Sequence, residues 1–503
     1  MPVTPTYPGV YIEELPSGVH TITGVATSIA AFVGWAAKGP VDHATLILSW
    51  SDFEREFGGL DSRSLLGYSV NQFFANGGQQ AYIVRLVSGD AHVASITIGA
   101  SPKALIVNAL SAGKWANDYQ VAIKNSTASP GRFQLQVLYA PTGATPAVVE
   151  SFPNLSISAL DPQGRYVVDV LANSSNLVSV TVPGTTTTPP DDATAQLGGT
   201  TAGADGTVLT PGTAPFETGL QAGGGTGGVN LLGSVDLFNL LCVPGEINAT
   251  VLGQLDAFCK HNQAFLIADS DPGITDFTTL SSGPGFHGDN SAFYFPSLLA
   301  PDPLAGNVTR TYPPCGFVAG IYATTDANRG VWKAPAGTET ALVGVSGVTI
   351  PLTDKQNGVL NPVAVNCIRT FSAYGTVVWG ARTTGGNDEA GSQWKYVPIR
   401  RLALFLETSL YRGTQWVVFE PNDAPLWSQI RLNVGAFMQT LFRQGAFQGS
   451  TPQQAYFVKC DSETTTSTDQ DNGIVNILVG FAPLKPAEFV IIQIQQIAGQ
   501  TAV

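Results

Sequence analysis

Three groups of residues have types and spacing that could do chemistry. Asp269 and Asp271 close the apolar run AFLIADSDPG, at the carboxyl end of an expected parallel strand, where α/β enzymes place acid–base or metal-binding carboxylates. An Asp-Pro-Gly turn accounts for Asp271 without any ligand. Gly223, Gly225 and Gly228 have the glycine spacing of a dinucleotide loop. Such a loop needs a strand before it and a helix after it, so that phosphates meet a helix N-terminus. Here a Gly/Thr stretch precedes and a strand-like segment, 235–241, follows, so no cofactor is expected. Asp469, Asp471 and Gly473 suggest a calcium loop, but the glycine falls one place late and no glutamate closes twelve residues. A polar hairpin is the reading there.

The remaining reactive side chains are dispersed. His20, His43, His92, His261 and His287 are far apart and form neither a zinc-type pair nor a hydrolase triad. His287 beside Asp289 reads as turn structure. Cys242, Cys259, Cys315, Cys367 and Cys460 show no CxxC spacing and read as reduced buried thiols. No catalytic, cofactor or metal constellation is expected, and the chain reads as a non-enzyme. Two alternatives stay open at this point. One is an α/β enzyme with its site near Asp269 and Asp271; the other is a surface adhesin that uses the Thr/Gly-rich stretch.

The elements that would position any site alternate along the chain. TSIAAFVGWAAKGP reads as a buried strand with a turn. TLILSWSDFEREFGG reads as strand, Ser51 cap and short helix, and residues 65–75 as a helix before the strand AYIVRLV. From 89 to about 228 the texture becomes short alternating segments, an inserted β-rich domain. Its last part, 183–228, has no Lys or Arg and reads as a flexible surface excursion. VDLFNLLCVPG, a helix over 250–260 and AFLIADSDPG then form a βαβ unit with parallel pairing. VNCIRTF and TVVWGAR read as two strands around Tyr374 and Gly375. The last block holds a helix at 399–411, a strand at 416–420, and a long helix from Asp423 and Pro425 to Gly445. Strands QAYFVKC, IVNILVGFAP and EFVIIQIQQI complete an α+β unit.

Composition narrows the partners. Net charge is −13, only 12% of the 503 residues are charged and 44% are hydrophobic. No basic run exceeds Arg400 and Arg401, which argues against nucleic acid. Apolar runs are too short to span a membrane and no signal peptide is apparent. A thinly charged surface fits a protein much of whose surface becomes interface. Both ends carry apolar strand-like segments without a local partner: Val10, Tyr11, Ile12, Glu13, Glu14 and Leu15 near one, Phe489, Val490, Ile491, Ile492, Gln493, Ile494, Gln495, Gln496 and Ile497 near the other. Open strand edges invite pairing with another chain.

The segments that run in this order, from PGVYIEE through FFANGGQQAYIVRL, DANRGVWKAPAG, LNPVAVNCIRTF and YVPIRRLALFLETSLYRGTQWVVFEPNDAPLW to GFAPLKPAEFVIIQIQQ, resemble the contractile tail sheath proteins of myophages, R-type bacteriocins and phage-tail-like injection systems. The likeness covers roughly 1–86 and 231–503. It implies a multidomain α+β / α/β fold: a conserved inner α+β domain formed from N- and C-terminal parts, with an inserted β-rich outer domain. The expected divisions are a linker arm at 1–22, a first sheath part at 23–88, the variable insertion at 89–230, a middle α/β domain at 231–375, an inner C-terminal domain at 376–485 and a linker strand at 486–503.

The resemblance also implies six-membered rings stacked helically around an inner tube protein, contracting to drive that tube through a target envelope. Baseplate and terminal cap proteins are further partners, and paralogous sheath subunits are left open. Assembly in the bacterial cytoplasm follows, without an unfoldase. The end segments named above are the expected links between subunits, joining the sheet of a neighbour's C-terminal domain. Arg431, Gln439 and Arg443 are the expected tube-facing residues.

Overall fold

The computed structural model describes residues 20–221 and 227–493, which fall into two compact units. The larger unit comprises Ser28–Ala327 and Pro335–Lys395; the smaller takes the described residues up to 27, Asn328–Ala334, and those from 396 onward. The chain therefore passes between the units four times, after 27, 327, 334 and 395.

The larger unit is organised by an eight-stranded sheet. Across it run Gly375–Val378, Val365–Phe371, Ser291–Phe295, Phe265–Asp269, Leu240–Cys242, Ala30–Trp35, Ala81–Leu86 and Thr45–Ile47. The six inner strands pair in parallel and the outermost two antiparallel. A parallel strand covered on both faces must be apolar throughout. AAFVGW, buried at every position, meets that demand. The βαβ unit is present: helix Ala249–His261, capped by the Asn248 side chain accepting from Thr250 N, joins two parallel strands with Leu240 opposite Phe265. Helix Cys315–Arg329 lies so close to Leu66–Ala75 that a Cβ on Gly316 would sit 2.4 Å from the Ser69 carbonyl oxygen.

Both edges of this sheet are guarded. On Gly375–Val378, Leu342 N donates to Thr376 O at 2.9 Å and Gly337 N to Val378 O at 2.9 Å. The Thr340 hydroxyl accepts from Val378 N at 3.2 Å. The other edge strand, Thr45–Ile47, is three residues long. Short or covered edges are the usual defence against unwanted strand addition.

Between Ala81–Leu86 and Leu240–Cys242 a second core is inserted. Strands Ser95–Ile98, Leu105–Ala109 and Val178–Thr181 form one antiparallel sheet; Ala193–Gln196, Tyr119–Asn125, Phe133–Tyr139 and Ala147–Leu155 form another. Val107, Val121, Leu135 and Val137 are among the buried residues between them. The root is zipped by bridges His92–Ala204 and Ser95–Thr201. Arg85, 2% exposed, donates to the carbonyls of Ala36, Gly39 and Ala112 at 2.7, 2.6 and 2.8 Å, and burial lowers its pKa to about 10.

Several sequence expectations need correction. The described residues of 183–228 are not a flexible excursion: they contribute strand Ala193–Gln196 and helix Ala214–Leu220. Leu197 enters the inserted core, while Leu209, Phe216 and Leu220 enter the core beneath the central sheet. Four widely spaced apolar residues were masked by Thr, Gly and Ala. The helix expected from Ser51 starts at Trp50, because Ser49 caps it by accepting from Asp52 N while the Asp52 carboxylate accepts from Leu48 N and the Ser49 hydroxyl. Residues 469–473 are no hairpin but the end of helix Ser467–Asp471, with a Thr466/Asp469 capping box. The boundary drawn at 375 falls inside the hairpin of Val365–Phe371 and Gly375–Val378.

Candidate assembly surface

The smaller unit is built on helices Val397–Gly413 and Ala424–Arg443. Asp423 caps the second by accepting from Leu426 N at 3.1 Å, and proline occupies its first turn. Leu426, Ile430, Val434, Met438 and Leu441 recur at helical spacing and bury against Leu402 and Leu406. The segment from His20 to Thr27 is laid over the same helices. Ile22 is buried, Gly24 is small enough to lie against the Phe405 ring, and Arg401 donates to Thr27 O at 2.8 Å. The His20 ring stacks on Trp416 at 4.0 Å, and its backbone N–H donates to Asn433 Oδ1 at 3.2 Å. The N-terminal stretch is thus fixed from residue 20 onward; Val10 to Leu15 lie outside the described residues.

Strands Tyr456–Lys459 and Leu478–Phe481 form a two-stranded antiparallel sheet, with Tyr456 opposite Phe481 and Lys459 opposite Leu478. One face packs on the helical core through Tyr456, Val458, Val479 and Phe481. The other leaves Phe457 and Leu478 half exposed. Among the described residues no third strand joins this sheet; the nearest pairing is the single bridge Phe447–Pro483 beyond its end. A two-stranded sheet alone is marginal in water.

After Glu488, whose carboxylate accepts from the Tyr396 hydroxyl at 3.1 Å, the chain runs out as an apolar ribbon. Phe489, Val490, Ile491 and Ile492 are 73 to 83% exposed, Gln493 is exposed, and none of the five is paired as a strand. Burying such a side chain is worth roughly 1.5–3 kcal/mol relative to leaving it in water. Ile494, Gln495, Gln496 and Ile497 lie outside the described residues.

The three residues expected to face a tube divide. Arg431 donates to the Cys460 carbonyl and, at 3.0 Å, to Ser428 Oγ; Gln439 accepts from the Tyr456 hydroxyl at 2.9 Å. Both side chains are thereby turned toward the two-stranded sheet of their own unit. Arg443, in the last turn, is exposed. The exposed stripe of this helix otherwise carries Ser428, Gln429, Leu432, Ala436 and Thr440.

The segment 416–420, expected as a strand, is a 3-10 turn at Gln415–Val417 followed by a reverse turn. Its run of Trp, Val and Phe mimics a strand, but Trp416 is taken up by the stack on His20. Val418 and Phe419 project into solvent at 63 and 102% exposure. Sequence reasoning passed over Phe419, and no glycine marks the turn.

The chemistry candidates resolve into structure. Asp269, 2% exposed, accepts from Cys315 N at 2.7 Å, the first residue of helix Cys315–Arg329, and from Gly245 N at 3.1 Å. Burial pushes its carboxyl up to about 6, opposed by those N–H donors. It is a clamp on two backbone amides. Asp271 is exposed and accepts from Gly273 N at 2.7 Å, an Asx turn. Gly223 and Gly225 lie outside the described residues, and Gly228 takes a positive φ of 56° against the Leu220 carbonyl. All five cysteines are buried free thiols. Among the described residues no His/Cys/Asp/Glu group could hold a metal, and no helix is long and apolar enough to cross a membrane.

Comparison with known proteins identifies the family. Residues 234–384 match the phage tail sheath protein central domain and 389–497 the phage tail sheath C-terminal domain, together more than half of the chain. A prophage major tail sheath protein of Pseudomonas aeruginosa strain UCBPP-PA14 is 26% identical over 313 residues, 60% of this chain and 72% of that one. The tail sheath protein of Enterobacteria phage T4 is 26% identical over 161 residues, 32% of this chain and 23% of that one. The fold is shared with the helical sheath of the anti-feeding prophage in its contracted state, at 24% identity and TM-score 0.60 over 98% of this chain and 100% of that one. It is also shared with a sheath tail protein of Listeria innocua, at 13% identity and TM-score 0.62 over 92% and 96%. The multidomain α+β chain described above belongs to the phage tail sheath family, the structural subunits of contractile phage tails and tail-like injection particles.

Proposed function

We propose that copies of this chain polymerise as six-membered rings stacked helically around an inner tube protein, and that the polymer contracts to drive the tube through a target envelope. Successive copies are joined by strand addition. Val10 to Leu15 and Phe489 to Ile497 of one copy extend the sheets made by Tyr456–Lys459 and Leu478–Phe481 in its neighbours. The observation that carries this reading is that, among the described residues of the smaller unit, a two-stranded sheet has no further strand and an apolar ribbon has no cover.

An added strand gains about 4 to 6 backbone hydrogen bonds at a net ~0.5–1.5 kcal/mol each, besides apolar burial. Each junction is then worth several kcal/mol and survives while whole domains rotate. No nucleotide, metal or turnover is needed when the extended polymer is kinetically trapped above the contracted one. The subunit acts without enzymatic activity, assembles in the bacterial cytoplasm, and meets a baseplate and a terminal cap protein at the polymer's ends.

Negative-stain electron microscopy of the purified chain tests the reading: it gives striated tubes with six copies per disc. Deleting 1–16 or 488–503 leaves a folded chain, by circular dichroism, that forms no tubes. Normal tubes from either truncation overturn strand addition at that end.

A further inference from the structure

The loop joining the two long helices of the smaller unit holds a residue ill suited to its place. Val418, at φ −66° and ψ 127°, and Phe419, at φ 71°, are the central residues of a turn closed by Glu420 N donating to Val417 O at 3.1 Å. Those angles define a type II turn, whose third position takes glycine or asparagine because a Cβ crowds the backbone at positive φ. Phenylalanine there is strained, and its ring is fully exposed.

The loop is nonetheless firmly held. Trp416 is stacked on His20, Asn422 Nδ2 donates to Ile474 O at 3.0 Å, Gln470 Nε2 donates to Asn422 O at 3.0 Å, and Trp427 Nε1 donates to Asn422 Oδ1 at 2.9 Å. Strain persists where the surroundings over-determine a conformation, and it gathers at functional positions. Here the surroundings fix an aromatic ring in water.

We propose that Phe419 is an anchor that seats against the apolar Phe489–Ile492 ribbon of a second copy of this chain. The inference rests on the self-assembly reading and deepens it by naming a side-chain contact outside the strand-addition ladder. The occupant follows from two observations. Ribbon residues pointing to both sides are exposed, so adding the ribbon to a sheet backed by helix Ala424–Arg443 covers one side and leaves the other needing an apolar partner. Asn422, three residues after Phe419, ties the turn to Ile474, four residues before Leu478–Phe481, so the turn is anchored to the segment that leads into the strand the ribbon would join. Aromatic anchors at the centre of an interface dominate its binding energy, which suits a single rigid ring.

The test uses full-length protein without tube protein. Phe419→Gly relaxes the turn and removes the ring: the unassembled chain, diluted below the assembly threshold, melts no lower than wild type, while the concentration needed for tubes rises at least tenfold. Phe419→Leu restores assembly to within about threefold of wild type. A Phe419→Cys, Ile491→Cys double variant, oxidised after assembly, gives a ladder of covalent multimers that neither single variant gives. Wild-type tubes with an unchanged threshold for Phe419→Gly, or no ladder from the double variant, overturn the anchor. Absence of tubes from wild type overturns the self-assembly reading instead.

Discussion

The eight-stranded sheet ends on one side in Gly375–Val378, whose outer backbone groups are met by 337–342, and on the other in a strand of three residues. The two-stranded sheet of the smaller unit has no such cover among the described residues, and the nearby tail offers Phe489, Val490, Ile491 and Ile492 to solvent. Among the described residues, one chain thus contains a sheet closed against other strands and a sheet without such closure. Closing an edge takes little, a six-residue loop or a truncated strand, and the larger unit does both. The uncovered sheet among the described residues of the smaller unit therefore does not follow from the weakly charged composition shared by the whole chain.

Three experiments would break or sharpen this contrast. The largest effect is expected from Leu220→Ala, which opens a cavity in the core beneath the guarded sheet. It should lower the stability of the larger unit by about 2–4 kcal/mol in urea unfolding; a loss near zero would return 183–228 to the surface. Next is Thr340→Ala, which removes the hydroxyl that meets Val378 N and O. A loss of about 1–2 kcal/mol, with concentration-dependent aggregation by light scattering, is expected. If the variant stays as soluble as wild type, this hydroxyl does not guard the edge.

The smallest effect concerns pH. Asp269 has a folded-state pKa of about 6, above the ordinary value near 3.9, so the folded chain takes up its proton first as acid is added. Its charged form costs stability above that pKa, and the cost is relieved between pH 7 and 5. Relative to Asp269→Asn, wild type should gain about 1 kcal/mol over that interval. Equal slopes for the two proteins would remove the buried carboxylate from the account.

The central sheet was legible because parallel strands must be apolar throughout, and the long helix of the smaller unit because Asp423 and Pro425 mark its start. What escaped had a physical reason in each case. Leu197, Leu209, Phe216 and Leu220 are too widely spaced to give any period, yet each finds a core. Trp416 to Phe419 have strand-forming side chains, but tertiary contacts at His20 and Asn422 impose turns. Arg431, Gln439 and Arg443 share a polar stripe in sequence; only the position of Tyr456–Lys459 separates the two that bond to that strand or its end from the one that reaches solvent. The end segments stand out in sequence because they are apolar and strand-like with no local complement; under the proposed strand addition their partners lie on another copy of the chain.

The four passages of the chain between its units bear on durability. A domain tethered by one linker is lost to a single peptide-bond cleavage; here a cut at any one passage leaves three intact covalent connections. The fragments of a nicked chain are then held only by packing inside each unit, while the remaining passages still join one unit to the other.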